Sequence, residues 1–378
     1  MDPIKTKQEE KSEKQTILAR IKEMEDEISA TKYNKKTQGH IGLVKAKIAL
    51  LKEKQEKRSA GKAKGEGFSV RRSGDATVIM VGYPSVGKST LLNSLTKAKS
   101  QVAAYAFTTL TCIPGLLEYK HSKIQVLDVP GIISGAASGM GRGKEVLACA
   151  QSADLVLLVI DVFHPDHLPV LQKEVADAHL RLNRRKPTIK IVKKDRGGID
   201  IGTTVKLTKI DDATIKDIMQ EFRLNNASVV LRDDIDADDL IDTIEGNKKY
   251  VPAITILNKI DMVDKDELER VKRIVRPDIC ISAQQKINIE ELKELIFQRL
   301  GFMRVFCKEQ GKKADLEVPM IMREGATTRD ICDKLHRDFV KKFRFARIWG
   351  KSAKFDGQVI RSLDHQFKDE DIVEVHVK

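Results

Sequence analysis

The sequence predicts an α/β protein built on a mostly parallel sheet, preceded by a helical hairpin, interrupted by an inserted α+β module and followed by a small mixed domain. Three observations carry that prediction. From Ala76 onward, short apolar strands alternate with helical stretches, the pattern of repeated strand–helix–strand units. A glycine loop of the phosphate-binding kind follows the first of those strands. Finally, 126 residues separate Gly131 from Asn258 where two crossovers need only about 60, so a module is inserted between them.

Length and charge bound the rest. A chain of 378 residues predicts two or three domains, and 41% hydrophobic residues fit a folded protein. The five cysteines are odd in number and form no Cys-x-x-Cys pair, which excludes a disulfide scaffold and a zinc ribbon. No apolar run reaches 18 residues, and the charged start lacks an apolar signal core. The expectation is a cytoplasmic protein with no membrane contact and no obligate homo-oligomer. The net charge of +13 is uneven: residues 31–74 carry 13 basic and 3 acidic side chains, and residues 302–378 carry 17 and 13. Basic ends around a nearly neutral middle point to a polyanion such as RNA.

Each element has its own signal. Ile17, Ile21, Met24 and Ile28 recur at helical spacing, as do Ile41, Val44, Ile48 and Leu51 after Thr37, a plausible N-cap. These two helices, within residues 1–60, read as a hairpin whose apolar stripes pack on each other; residues 61–74 read as a linker. The apolar runs Thr77–Val81, Ile124–Leu127, Leu155–Ile160 and Ala253–Leu257 are the buried strands of a central domain over 75–172 and 248–301. The module is placed at 173–247. Within it, Thr188–Lys194 and Ile199–Lys206 flank Asp195-Arg196-Gly197-Gly198 and read as a β-hairpin, with helices near Asp211–Arg223 and Asp236–Ile244. In 302–378, Val305–Cys307 and Leu316–Pro319 precede a helix over Thr328–Lys342 and short closing strands.

Gly82-Tyr83-Pro84-Ser85-Val86-Gly87-Lys88-Ser89 fits G-x-x-x-x-G-K-[ST] between a strand and a helix that continues through Thr90. Its backbone N–H groups would cradle a polyphosphate, Lys88 would neutralise the β- and γ-phosphates, and the Ser89 hydroxyl would ligate Mg²⁺. Asp128-Val129-Pro130-Gly131 closes the second buried strand. Asp128 would hold Mg²⁺ through water, and the Gly131 N–H would meet the γ-phosphate. Asn258-Lys259-Ile260-Asp261 would choose the base, because the Asp261 carboxylate accepts from guanine N1–H and N2–H₂, donors that adenine lacks. Ser282-Ala283 would offer the Ala283 N–H to guanine O6. Between these motifs lies Phe107-Thr108-Thr109, where Thr109, or alternatively Thr108, would ligate Mg²⁺ only when the γ-phosphate is present.

That set of motifs resembles the Obg superfamily of GTPases. The glycine-rich stretch Ile132–Gly143, the basic hairpin and the insertion narrow the resemblance to the developmentally regulated GTP-binding proteins, the DRG family, over essentially the whole chain. The resemblance implies a P-loop GTPase domain that binds GTP and GDP with Mg²⁺, an insertion similar to a domain of ribosomal proteins, and a C-terminal TGS domain with a β-grasp fold. It also implies association with translating ribosomes and, in eukaryotes, with dedicated regulatory proteins. Where Ras-like GTPases place a water-orienting Gln, this chain has Ile132, so slow intrinsic hydrolysis is expected, boosted by a partner or a monovalent cation. Relatives with cation-assisted hydrolysis carry Asn where Ser85 stands, which leaves K⁺ open as an activator. A nucleotide-sensing scaffold with negligible turnover is the alternative reading. Over Lys334–Lys354, eight basic residues alternate with Phe339, Phe343, Phe345 and Trp349, most of which are expected to form the small domain's core.

Overall fold

The structure is a computed structural model that describes residues 3–32, 34, 37–59, 74–96, 113–128 and 151–378. Helices α1 (Pro3–Ala30) and α2 (Gln38–Ser59) form the expected hairpin. Its turn is pinned by reciprocal bonds between Asn34 and Thr37, each backbone N–H donating to the other's side-chain oxygen at 3.0 Å. The two stripes meet: Ile17, Ile21, Met24 and Ile28 pack on Val44, Ile48 and Leu51.

The central sheet begins with β1 (Ala76–Val81), which leads through the glycine loop into α3 (Lys88–Leu95). Next come β2 (Ile113–Tyr119), β3 (Ser122–Asp128) and β4 (Leu155–Asp161), then α4 (His167–Asp177) and β5 (Leu180–Leu182). All seven residues of β4 are buried, and each buried Leu, Val or Ile contributes about 1.5–3 kcal/mol. That explains why this strand is an unbroken apolar run: it lies between two parallel neighbours, with a core on either face.

The insertion contains β6 (Ile189–Lys193), β7 (Ile199–Thr203), α5 (Asp212–Glu221), β8 (Ala227–Leu231) and α6 (Ala237–Glu245). The expected β6–β7 hairpin is corrected. The sheet order is β6-β8-β7, with β8 antiparallel to β6 and parallel to β7. Gly197 and Gly198 do turn the chain, at φ 104° and 76°, but the loop bridges over the start of β8. Asn226 accepts from the Gly198 N–H at 2.8 Å, and the Ala227 N–H returns to the Gly198 carbonyl at 3.0 Å. The module's start also shifts. Lys173 lies in α4, which packs against the central sheet, and the insertion's share of its compact unit is Arg184–Tyr250.

The hairpin and the insertion form one compact unit. The close face of α2 packs on α5, where a Cβ added at Gly42 would meet Thr214 Cγ2 at 2.9 Å. Ala46 joins the insertion's core, and Lys45 Nζ reaches Asp238 at 2.6 Å. The stripes therefore pack on each other as expected, while a second face of α2 is used by the insertion.

In the second unit, Asn183 closes the mouth of the insertion, its N–H donating to the Val251 carbonyl at 3.0 Å and its Oδ1 accepting from the Ala253 N–H at 2.7 Å. After β9 (Lys249–Val251) come β10 (Ala253–Asn258), α7 (Lys265–Val275), β11 (Ile279–Cys280) and α8 (Ile289–Arg299). The six-stranded sheet runs β11-β10-β4-β1-β3-β2, parallel except for the edge strand β2.

The last domain comprises β12 (Phe302–Cys307), β13 (Met320–Arg323), α9 (Thr328–Leu335), α10 (Phe339–Lys342), β14 (Phe343–Trp349), β15 (Gln358–Ile360) and β16 (Asp371–Val377). Its sheet order is β13-β12-β16-β14-β15, with α9 packed on one face through Ile331. Two expectations are corrected here. Leu316 and Val318 are exposed, and the strand lies at Met320–Arg323 instead of 316–319. The single helix over Thr328–Lys342 breaks at His336, whose backbone is extended at φ −165°, ψ 140°. Phe339, Phe343, Phe345 and Trp349 are half-buried, and only Phe343 packs against the domain core, which is built from Val305, Ala346, Ile348 and Val373.

Candidate nucleotide-binding site

In the parallel sheet, β1, β3, β4 and β10 all end on the same edge, where open α/β sheets bind their ligands. The residues at those ends are Gly82, Asp128, Asp161 and Asn258. The loop Gly82–Ser89 needs glycine at two points. A Cβ at Gly82 would fall 2.5 Å from the Val159 carbonyl, and Gly87 has φ 96° with Asn258 Nδ2 only 2.4 Å from where its Cβ would stand. Ser85 adopts φ 64°, a conformation that Asn takes more readily than Ser. Pro84, Ser85, Ser89 and Thr90 are exposed, while Val86 is buried.

Lys88 Nζ donates to the carbonyls of Gly82 and Tyr83 at 2.8 and 2.9 Å, so its ammonium is curled over the loop it serves. Burial lowers its pKa, and the charge of Asp128 opposes that shift. The Ser89 hydroxyl donates to Asp128 Oδ2 at 3.1 Å. Asp128 Oδ1 is buried and has no hydrogen-bond partner among the described residues. A buried carboxylate with one free oxygen beside a hydroxyl is a hard-oxygen donor set, and it fits Mg²⁺.

Asn258 joins the loop Gly82–Ser89 to the loop at Ser282-Ala283. It is 2% exposed, donates Nδ2 to the Val86 carbonyl at 2.8 Å, and accepts at Oδ1 from the Ala283 N–H at 3.0 Å. The Ala283 N–H, expected to face guanine O6, is engaged by Asn258 in this structure. Ser282 is fully buried, its Oγ accepting from the Gln285 N–H at 3.1 Å, and so shapes the loop from beneath. Asp261 is exposed on the short 3₁₀ turn Ile260–Met262, open to a ligand. Phe107, Thr108, Thr109, Gly131 and the stretch 132–143 lie outside the described residues.

Sequence reasoning missed Asp161. It pairs in register with Asn258 and is 4% exposed. Its Oδ2 accepts from Lys259 Nζ at 3.0 Å, while Oδ1 contacts His164 Nδ1 at 2.9 Å. Burial alone would raise this carboxyl, but His164 and Lys259 outweigh it and hold the group below the ordinary carboxylate range. The His164 and His167 rings stack at 4.9 Å, and His167 stacks on Tyr83 of the phosphate loop at 3.8 Å. The available signal was an Asp closing an apolar strand, as Asp128 does.

Comparison with known proteins follows the same divisions. The family model described as "50S ribosome-binding GTPase" matches residues 77–194, that of the C-terminal region of the same domain matches 196–302, and a TGS domain matches 303–377. The chain is 51% identical to an uncharacterized GTP-binding protein of Methanocaldococcus jannaschii, covering 96% of this chain and 93% of the relative. It is 42% identical to developmentally-regulated GTP-binding protein 1 of Xenopus laevis and 43% identical to developmentally-regulated G-protein 3 of Arabidopsis thaliana. In both cases 95% of this chain and 98% of the relative are covered.

Proposed function

This chain belongs to the family of developmentally regulated GTP-binding proteins, and we propose that it is a slow GTPase whose nucleotide state regulates contact with ribosomes or RNA in translation. The observation that carries the nucleotide part is the pair of hydrogen bonds by which Asn258 donates to the Val86 carbonyl and accepts from the Ala283 N–H. It supports a reading in which polyphosphate and base bind at one end of the sheet.

Each residue has a part in this reading. The N–H groups of Gly82–Ser89 hold the phosphates, and Lys88 leaves the Gly82 and Tyr83 carbonyls to neutralise the β- and γ-phosphates. Ser89 and, through water, Asp128 would hold Mg²⁺, which would supply neutralisation of phosphate charge. Asp261 accepts from guanine N1–H and N2–H₂, and Lys259 borders the base. The Ala283 N–H is shared between Asn258 and guanine O6. Thr109, with Thr108 as alternative, would ligate the metal only in the triphosphate state, and the Gly131 N–H would meet the γ-phosphate.

Ile132 has no group to orient water, so turnover is slow until a partner protein or K⁺ assists. Ribosome contact is supported by the description of the matching family model, by the TGS match and by the basic ends. No described helix is long and apolar enough to cross a membrane, and we place the protein's work in the cytoplasm. Pelleting with ribosomes in GTP, GDP and a non-hydrolysable analogue tests the regulatory reading. Co-sedimentation that depends on the nucleotide supports it, and equal or absent co-sedimentation in all three contradicts it.

A further inference from the structure

The insertion is nearly neutral overall, but its charges are segregated. Residues 184–196 carry seven basic side chains and one acid, whereas residues 211–245 carry eleven acids and three bases. The acidic part is partly covered by the hairpin, through Lys45 and Asp238. The basic part borders a cleft of about 510 Å³ lined by Lys186, Pro187, Thr188, Ile189, Lys190 and Arg232.

The pleat explains how these cations come together. Ile189, Ile191, Val229 and Leu231 turn into the module's core, so Thr188, Lys190 and Arg232 belong to the opposite, open face. The Arg232 N–H donates to the Thr188 carbonyl at 3.1 Å, which fixes the end of β8 beside the entry to β6. Lys186, Lys190 and Arg232 are exposed, and none forms an ion pair with a described residue. The adjoining acid, Asp233, is engaged by the Thr188 N–H at 2.6 Å and lies near Arg185. Lysines on an edge strand can serve merely to block strand addition. That explains Lys190, which is on the edge strand β6, but not Lys186 and Arg232, which reach the same cleft from outside it.

We propose that this cleft is a binding site for the phosphate backbone of structured RNA. The inference rests on the RNA reading above and gives it a location outside the two basic ends. Three unpaired cations suit adjacent phosphates, and the lining offers no aromatic ring on which a base could stack. Recognition here is therefore of backbone shape and charge, tolerant of sequence.

The test uses the full-length protein with an RNA duplex of about 16 base pairs, in two unrelated sequences, over a range of salt concentrations. Reversing the three charges together (Lys186→Glu, Lys190→Glu, Arg232→Glu) should weaken binding at least about tenfold and lower the log–log salt slope by about 2–3 for both sequences. GTP affinity, which depends on the other unit, should be unchanged, and a circular dichroism spectrum and unfolding transition like those of the wild type report that the insertion is folded. The charge-keeping set Lys186→Arg, Lys190→Arg, Arg232→Lys should bind like the wild type. A folded reversal variant with an unchanged slope overturns the cleft but leaves the RNA reading standing. A wild type that ignores the duplex overturns both. Preferential binding of poly-glutamate would overturn the RNA assignment in favour of an acidic peptide.

Discussion

Asn258 donates its side-chain amide to the Val86 carbonyl at 2.8 Å and accepts from the Ala283 N–H at 3.0 Å, so one buried side chain braces the phosphate loop against the loop at Ser282-Ala283. Its removal leaves the Val86 carbonyl and the Ala283 N–H without their partner. Asn258→Ala should therefore weaken GTP and GDP alike by about 2–4 kcal/mol. Equilibrium titration of both nucleotides checks this. A loss confined to one nucleotide would show that Asn258 does not act as a common brace.

Asp261 is exposed at the turn after β10, and its carboxylate is assigned the guanine edge. In Asp261→Asn one acceptor becomes a donor, which should weaken GTP by about 2–4 kcal/mol and improve binding of xanthosine nucleotides, whose C2 carbonyl accepts. Competition among GTP, ATP and XTP measures the switch. Unchanged GTP preference would move the base pocket elsewhere.

The central sheet was legible because strands buried on both faces are unbroken apolar runs: Leu155–Ile160 has no other use for its composition. The edge strand β2 was not, since Pro114 and Gly115 argue against a strand unless it lies at a sheet edge, as this one does. The turn signal in Asp195–Gly198 was real, yet it could not disclose that β8, 30 residues later in the chain, would lie between its flanking strands. In the site, the phosphate loop declared itself through spacing, and the base motif is read from spacing in the same way. Asp161 carries no motif, and the use of the Ala283 amide depends on where Asn258 points, which only tertiary structure decides.

Asp161 should couple pH to stability through Lys259 and His164. Its folded pKa is depressed below the ordinary value of 3.8, so its contribution is present above that value and is lost as pH falls through the lower folded value. Asp161→Asn should be less stable than wild type at neutral pH, with the gap closing below about pH 4. Urea unfolding across that range gives the comparison. A gap that stays constant with pH would mean the charge of Asp161 contributes nothing.

Glu174 predicts the opposite slope. Burial pushes its carboxyl up to about 7, with Asp177 adding to the shift, and its Oε2 is buried without a hydrogen-bond partner among the described residues. The unfolded chain releases this proton near 4.5, so stability from this group falls as pH rises from 4.5 to about 7. Glu174→Gln should stabilise the protein at neutral pH and change little at pH 4. Thermal unfolding at the two pH values separates these outcomes.

The assignment of the nucleotide chemistry is tested most directly by multiple-turnover phosphate release from GTP, with full-length protein and Mg²⁺, beside a Lys88→Ala control. Lys88 lies 2.8 Å from the Gly82 carbonyl and is the cation assigned to the transferred phosphate. The account predicts slow but continuing release by the wild type, little change in Ile132→Ala, a sharp loss in Thr109→Ala and none above background in Lys88→Ala. Equal rates for wild type and Lys88→Ala would contradict it.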